Sequence, residues 1–394
     1  MIFVELLLLS YFTYVCLYSF ILSFAGLFYK TRSLSASTTK RKIAVLIPSY
    51  KEDQVITSVA TSASNQHYPK EKFDVVVIAD SLKPETLTNL RQLPIKVIEV
   101  SFEKSTKVKA LNRAMDVIGN DYDCALILDA DNIMEADFLE KMNAYFSLGF
   151  RAVQGQRAAK NKNTPMALLD GLSETINNFI YRQGSVMIGL SSSLIGSGMI
   201  FEYSTLKEIL LPLNSIGGFD RELELNLIKR GIKIHYAKDA VVYDEKVASS
   251  EVFEKQRTRW LSSQFLYLRK YFSEGWIALF KGNINYFNCS ILKNIQLPRL
   301  LNLGLLTIFT ILSFIVARYI HVSPYVWLFL FTLNMLSMFF ALPRKIYSWE
   351  LVKSILLIPG IFFKMFLLLF KLKGANKTFI HTPHSHSDSP NPKS

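Results

Sequence analysis

Two aspartates one residue apart, Asp129 and Asp131, close the apolar run Ala125-Leu126-Ile127-Leu128. At a strand end, residues spaced by two point the same way. Two hard oxygen donors then reach one divalent cation, Mg or Mn, with donor phosphates supplying other ligands. That cation would neutralise a departing diphosphate. A D-x-D triplet is expected about once by chance in a chain this long. Asp121-Tyr122-Asp123 is a second one, but it precedes the apolar run. Taken alone, Asp129 and Asp131 read equally well as surface carboxylates. The signal is their joint occurrence with polar groups after three other apolar runs: Pro48-Ser49-Tyr50-Lys51-Glu52-Asp53, Asp80, and the stretch from Lys107 to Asn112.

These groups need elements to hold them. Ile43–Pro48, Phe73–Ala79, Ile95–Val100 and Ala125–Leu128 are short apolar runs bounded by polar residues, the pattern of buried strands. Lys109–Ile118 and Glu135–Leu148 carry helical patterns between and after them. Such alternation from Lys42 to about Glu251 predicts an α/β domain with a mainly parallel sheet covered by helices. Ligands of such sheets bind at the carboxyl ends of the strands. Ile195–Phe201 reads as a further strand, in which Gly196, Ser197 and Gly198 allow close backbone approach or mark a bulge.

With these residues in hand, the chain resembles a family 2 glycosyltransferase with a GT-A fold. The resemblance is to the membrane-bound branch that contains cellulose, hyaluronan and poly-N-acetylglucosamine synthases. It covers about Lys42 to Gln264 and rests on five motifs in the family's order. IPSYKED resembles the first-strand segment, which implies that Pro48, Tyr50 and Glu52 lie in the donor site, the last two beside the nucleotide base. Asp80 in VVVIAD matches an aspartate that contacts uracil. KVKALN implies Lys109 near the diphosphate, supported by Asn112. LDAD matches the metal motif, with Asp129 and Asp131. Gln256-Arg257-Thr258-Arg259-Trp260 matches the Q-x-x-R-W motif and implies an acceptor and diphosphate site. A guanidinium fork suits phosphate, and an indole face suits a sugar ring. Without the upstream motifs, Trp260 reads as a core or interface aromatic and Arg257 as a solvated charge. Gly196, Ser197 and Gly198 resemble the acceptor-floor loop.

An inverting transferase needs a carboxylate to take the proton of the attacking hydroxyl. The synthase branch presents a Thr-Glu-Asp triplet leading into a Leu-Glu-Leu helix. Here the run is Gly217-Gly218-Phe219-Asp220-Arg221-Glu222-Leu223-Glu224-Leu225. Aligning Leu-Glu-Leu implies Glu222 as the base and puts Arg221 where an acid is usual. Asp220 is the alternative base and Glu224 a structural acid. The plain reading of all three is a helix start whose acids favour the macrodipole.

The termini carry the hydrophobic surplus. Ile2 to Tyr29 contains one charge, Glu5, and is followed by Lys30, Arg32, Lys40, Arg41 and Lys42. It reads as a retained anchor (1–30) with the N-terminus outside and the next domain cytosolic. The expected order is a cytosolic catalytic domain (42–264), an amphipathic interface segment (265–298) and a transmembrane hairpin (299–342). An interface helix or fourth span (349–373) and a disordered tail (378–394) follow. From Glu251 onward there are 17 Lys/Arg against 5 Asp/Glu, so nearly all of the net +13 lies at the membrane-associated end. Anionic lipids attract such a segment. A nucleic-acid partner is not expected, because no basic stripe lies on the soluble part. Cys16, Cys124 and Cys289 lack ligand-like spacing and read as packed thiols.

The resemblance, together with the terminal apolar segments, implies an inverting, metal-dependent transferase at the inner membrane. By the same resemblance it would move a hexose or N-acetylhexosamine from a UDP-sugar to a glycan or lipid-linked acceptor for cell-surface polysaccharide. Polymer export would require partners or self-association. A single-addition transferase on a lipid-linked precursor and a catalytically dead glycan-binding regulator are the competing readings. A transporter would need more spans with polar groups within them.

Overall fold

The computed structural model describes residues 2–32, 37–215, 217–247, 250–343 and 349–371. The expected disordered tail, and Arg344 and Lys345 after the expected hairpin, lie outside the described residues. Two compact units share the chain. One comprises Lys30–Asn163 and Ser191–Val247; the other comprises Met1–Tyr29, Thr164–Leu190 and Ala248–Lys373. Residues 164–190, inside the expected catalytic stretch, thus group with the terminal helices.

The first unit holds one eight-stranded sheet: β1 Ile43–Tyr50, β2 Phe73–Asp80, β3 Lys96–Val100, β4 Cys124–Ile127, β5 Ile133–Met134, β6 Ala152–Ala159, β7 Met199–Glu202 and β8 His235–Asp244. Their spatial order is β3-β2-β1-β4-β7-β6-β8-β5. β1 runs parallel to β2 and β4, β2 to β3, and β6 to β8. β7 is antiparallel to β4 and β6, and β5 to β8, so the sheet is mixed. The carboxyl ends of β1, β2, β3, β4, β6 and β8 therefore share one edge, where β7 begins.

The continuous apolar runs follow from burial on both faces. Ile43, Val45 and Ile47 of β1 pack with the Ile56–Ser64 and Phe138–Ser147 helices. Ala44 and Leu46 pack with the Lys107–Ile118, Tyr203–Leu210 and Phe219–Lys229 helices. The expected strand Ile195–Phe201 starts later, at Met199. Gly196 and Gly198 have φ of +85° and +61°, which extended backbone excludes.

Among the described residues of the second unit, three helices are long and apolar enough to cross a membrane: Ile2–Gly26, Pro324–Ala341 and Trp349–Leu368. A bent pair, Ile284–Ile295 with Arg299–Ile315, makes a fourth if its 57° break counts as one span. The break leaves backbone groups without partners inside the helix. Tyr11 and Tyr14, on one face of the first helix, take up two of them, and Tyr18 on the same face reaches a side chain. The Leu297 N–H donates to Tyr11 Oη at 2.9 Å, Tyr14 donates to the Leu292 carbonyl at 2.6 Å, and Tyr18 to Asn288 Oδ1 at 2.8 Å. Glu5, the single charge of that helix, accepts the N–H groups of His321 (3.1 Å) and Val322 (2.8 Å). It thereby satisfies the turn before the Pro324–Ala341 helix.

Candidate active site

β1 and β2 pair so that Tyr50 stands beside Asp80 at the shared edge, with Pro48 beside Ile78. Glu52 and Asp80 are buried. Lys51 and Ser81, the residues after each strand, have φ of +57° and +58°. Positive φ is uncommon outside glycine and gathers at functional sites. The Lys51 N–H reaches the Asp80 carbonyl at 3.1 Å, which ties the two turns together.

The Asp129–Asp131 turn follows β4. The Asp129 N–H donates to Ser197 Oγ at 2.9 Å, and the Asn132 carboxamide lies 2.6 Å from the same hydroxyl. With its nitrogen turned toward Asp131, Asn132 donates to both carboxylate oxygens (3.1 and 3.2 Å) while its oxygen accepts from Ser197. The Glu245 N–H reaches Asp131 Oδ2 at 3.4 Å. Asp131 is buried, whereas Asp129 is about a third exposed and ion-paired to Lys107. Two oriented carboxylates suit Mg or Mn, which bind through one or two carboxylates plus substrate phosphates. The donor set therefore fits such a cation.

Lys107 also donates to the Gly196 carbonyl at 2.7 Å and lies 5.1 Å over the Phe219 ring. Lys109, two residues on, instead sends its ammonium to the Lys104 carbonyl at 3.1 Å. Asn112 donates to the Leu210 carbonyl at 3.0 Å, joining two helices. Thr106 accounts for the difference between the lysines. Its side chain caps the 107–118 helix by accepting the Lys109 N–H at 3.2 Å, leaving Lys107 at the first helical position. That capping threonine was the signal in the sequence that the helix begins at Lys107.

The loop before β7 lies beside these groups. A Cβ on Gly198 would meet Val242 Cγ2 at 2.9 Å, and one on Gly196 would lie 3.9 Å from Asp220 Oδ2. Gln154, fully buried in β6, donates to the Ser197 carbonyl at 2.9 Å and accepts the Ile195 N–H at 3.1 Å. Sequence reasoning missed Gln154 and Asn132, because nothing local marks a buried carboxamide as a loop clamp.

The acids of the Phe219–Lys229 helix separate by helical phase. Asp220 faces Gly196, and its carboxyl sits above the usual range. Burial raises it most, Glu224 adds to that, and the cations Arg221 and Lys107 oppose it. Glu222 lies about 200° around the helix; it is buried and accepts a hydrogen bond from Ser215. Glu224 accepts the Leu194 N–H at 3.0 Å. Beyond Asp131, Arg157 Nε lies 3.3 Å from Asp244, whose other oxygen is 2.8 Å from the buried Lys246 ammonium.

Gln256, Arg257, Arg259 and Trp260 belong to the unit of terminal helices, on the long Ser250–Phe280 helix. Arg257 donates to Asp170 at 2.5 Å and stacks over Trp260 (4.4 Å) and Phe253 (4.7 Å). Arg259 is partly exposed, and Trp260 is 39% exposed.

The sequence matches the model of Glycosyltransferase like family 2 over residues 40–263. A curated relative from Methanococcus voltae is named dolichyl N-acetyl-alpha-D-glucosaminyl phosphate 3-beta-D-2,3-diacetamido-2,3-dideoxy-beta-D-glucuronosyltransferase. It is 24% identical over 60% of this chain and 78% of its own length. An N-acetylglucosaminyltransferase of Rhizobium meliloti (strain 1021) is 25% identical over 57% of this chain, which spans 55% of that enzyme. Among solved structures, the mannosyltransferase PcManGT from Pyrobaculum calidifontis, in complex with GDP-Man and Mn2+, superposes with a TM-score of 0.52. That match has 15% identity and covers 84% of this chain and 96% of the other. The chain belongs to glycosyltransferase family 2 and has the GT-A fold.

Proposed function

We propose that this chain is an inverting transferase that moves a hexose or N-acetylhexosamine from a UDP-sugar to a hydroxyl of a glycan or lipid-linked acceptor. The carrying observation is the convergence, at one edge of the sheet, of Tyr50 and Asp80, the Asp129–Asp131 turn, Lys107 and Asp220. Tyr50, Glu52 and Asp80 take the nucleotide base in this reading. Asp129 and Asp131 hold Mg or Mn, which when bound supplies charge neutralisation for the diphosphate. Lys107 adds a fixed cation beside the same carboxylate.

Asp220 is the better candidate for the base than Glu222. Its raised pKa brings a carboxylate nearer to the operating pH, where a general base is most effective. Glu222 is engaged by Ser215 on another face of the helix. Gln256, Arg257, Arg259 and Trp260 serve the acceptor and diphosphate. The catalytic unit is cytosolic, the N-terminus is outside, and the membrane is the inner one, as the lysines and arginines after the first helix support. A lipid-linked acceptor draws support from the name of the Methanococcus voltae relative. Extension to a polymer would require a partner or self-association.

The test is nucleoside diphosphate release by the detergent-purified full chain over a panel of UDP- and GDP-sugars, with membrane lipid extract and with or without Mn or Mg. Metal-dependent release from one donor, lost in Asp131→Asn, supports the reading. No release from any donor by the folded protein would favour a dead glycan-binding regulator.

A further inference from the structure

Within the unit of terminal helices, the Pro165–Asn177 helix and the π-helical turn Asn178–Gly184 gather three arginines around two acids. Arg182 donates to Glu174 at 3.0 Å and to Asn178 at 2.8 Å. Arg257 donates to Asp170 at 2.5 Å. Each acid thus already holds a guanidinium. Arg299, the third, donates to the neutral side-chain oxygen of Asn177. Its buried Nε–H meets no acceptor among the described residues. Arg257 and the Glu174 carboxylate, itself paired to Arg182, both lie within Coulombic reach. A guanidinium stays charged. Half-buried and hydrogen-bonded to an amide, it keeps donors to offer a further anion.

The position of Arg299 says where that anion comes from. It follows Pro298 at the 57° break and opens the apolar Arg299–Ile315 helix. No charged residue follows until Arg318. A basic residue at such a boundary sits at headgroup depth. The planar guanidinium fork matches phosphate oxygens in a bidentate manner. We infer that Arg299, flanked by Arg257 and Asn177, binds the phosphate ester of a membrane lipid. Arg257 also serves the acceptor and diphosphate in the proposed function, so lipid binding is read without donor sugar, which separates failure of this inference from failure of that reading.

The full chain in detergent is titrated with phosphatidylglycerol, a polyprenyl phosphate, phosphatidylcholine or inorganic phosphate, and bound lipid is counted by native mass spectrometry. One saturable site is expected for an anionic phospholipid or the polyprenyl phosphate, and the tighter of the two names the source. Arg299→Gln weakens that binding by about ten- to a hundredfold, the worth of a charged hydrogen bond. Asn177→Asp supplies an internal carboxylate to Arg299 and weakens it comparably without removing the arginine. That variant keeps the idea testable if Arg299→Gln does not fold. Lys281→Gln, which alters an exposed cation of the same unit, leaves binding unchanged. Equal affinity in the wild type and both site variants would overturn the assignment. So would inorganic phosphate binding as tightly as the lipids.

Discussion

Replacing Asp220 by Asn separates a catalytic carboxylate from a structural one. Asn is nearly isosteric, and the carboxylate lies near the open Cβ position of Gly196, so the change introduces no clash. As a helix-start acid alone, Asp220 is worth about 0.3–1 kcal/mol of stability. That would leave kcat of the folded protein nearly untouched. As the general base it contributes about 10²–10⁴-fold to the rate, far outside the structural range. The raised pKa adds a second signature. The base works only when ionised, so the acid limb of kcat should fall above the ordinary aspartate value of about 3.9. The assay is metal-supported UDP release against pH, for wild type, Asp220→Asn and Glu222→Gln, with folding checked by thermal unfolding. Glu222→Gln weakens a buried hydrogen bond, so it should lower stability by about 1–3 kcal/mol while keeping kcat within about tenfold. If Glu222→Gln abolishes turnover while Asp220→Asn retains it, the helical-phase argument is wrong.

Three further outcomes follow from the same contacts. Ser197→Ala removes the acceptor of the Asp129 N–H and the partner of Asn132. Apparent Mn affinity should drop by about ten- to a hundredfold, and an unchanged Mn titration of UDP release would count against the clamp. Gly184→Ala builds a Cβ 2.0 Å from the Leu22 carbonyl oxygen, so the first helix must move. The cost is about 1–3 kcal/mol, read as a lowered unfolding midpoint in detergent, and an unshifted midpoint refutes the close crossing. His235 is stacked on Phe150 at 4.1 Å, and burial, aided by the charge of Arg32, lowers its pKa from 6.5 to about 4. The unfolded chain therefore takes up the proton first: its contribution is whole above about pH 6.5 and is lost by about 3 kcal/mol as pH falls to about 4. His235→Phe should lose less stability than wild type between pH 7 and 4.5 in urea titrations, and matching losses would exclude this origin.

The four apolar runs located β1 to β4 within one or two residues; burial on both faces makes β1, β2 and β4 nearly continuous in apolar residues, whereas β3 exposes Lys96 and Glu99. Their polar ends gave the site edge for the same reason. The antiparallel entry of β7 was not legible. It depends on the positive φ of Gly196 and Gly198 and on Gln154, a residue distant in sequence whose role appears only when β6 pairs with β7. Residues 164–190 fall inside the expected catalytic stretch because the motifs that bound it lie on either side of them. Asp170 and Gly184 are explained by Arg257 and Leu22, which sequence order does not bring near.

The two candidate bases illustrate the limit most clearly. A motif aligned by letters puts Glu222 on the position of the family acid. On a helix, however, a carboxylate two residues away points about 200° elsewhere. Asp220 and Glu224, four apart, share a face instead. Asp220 turns toward Gly196 and Glu224 secures the Leu194 N–H just before that loop. Asp220 thus faces the loop while Glu224 supports it. The same logic separates Lys107 from Lys109, where a helix cap rather than a motif letter sets which ammonium meets Asp129. In both cases the motif points to a segment. The phase of the helix then decides which side chain faces the Asp129–Asp131 turn and the loop at Gly196.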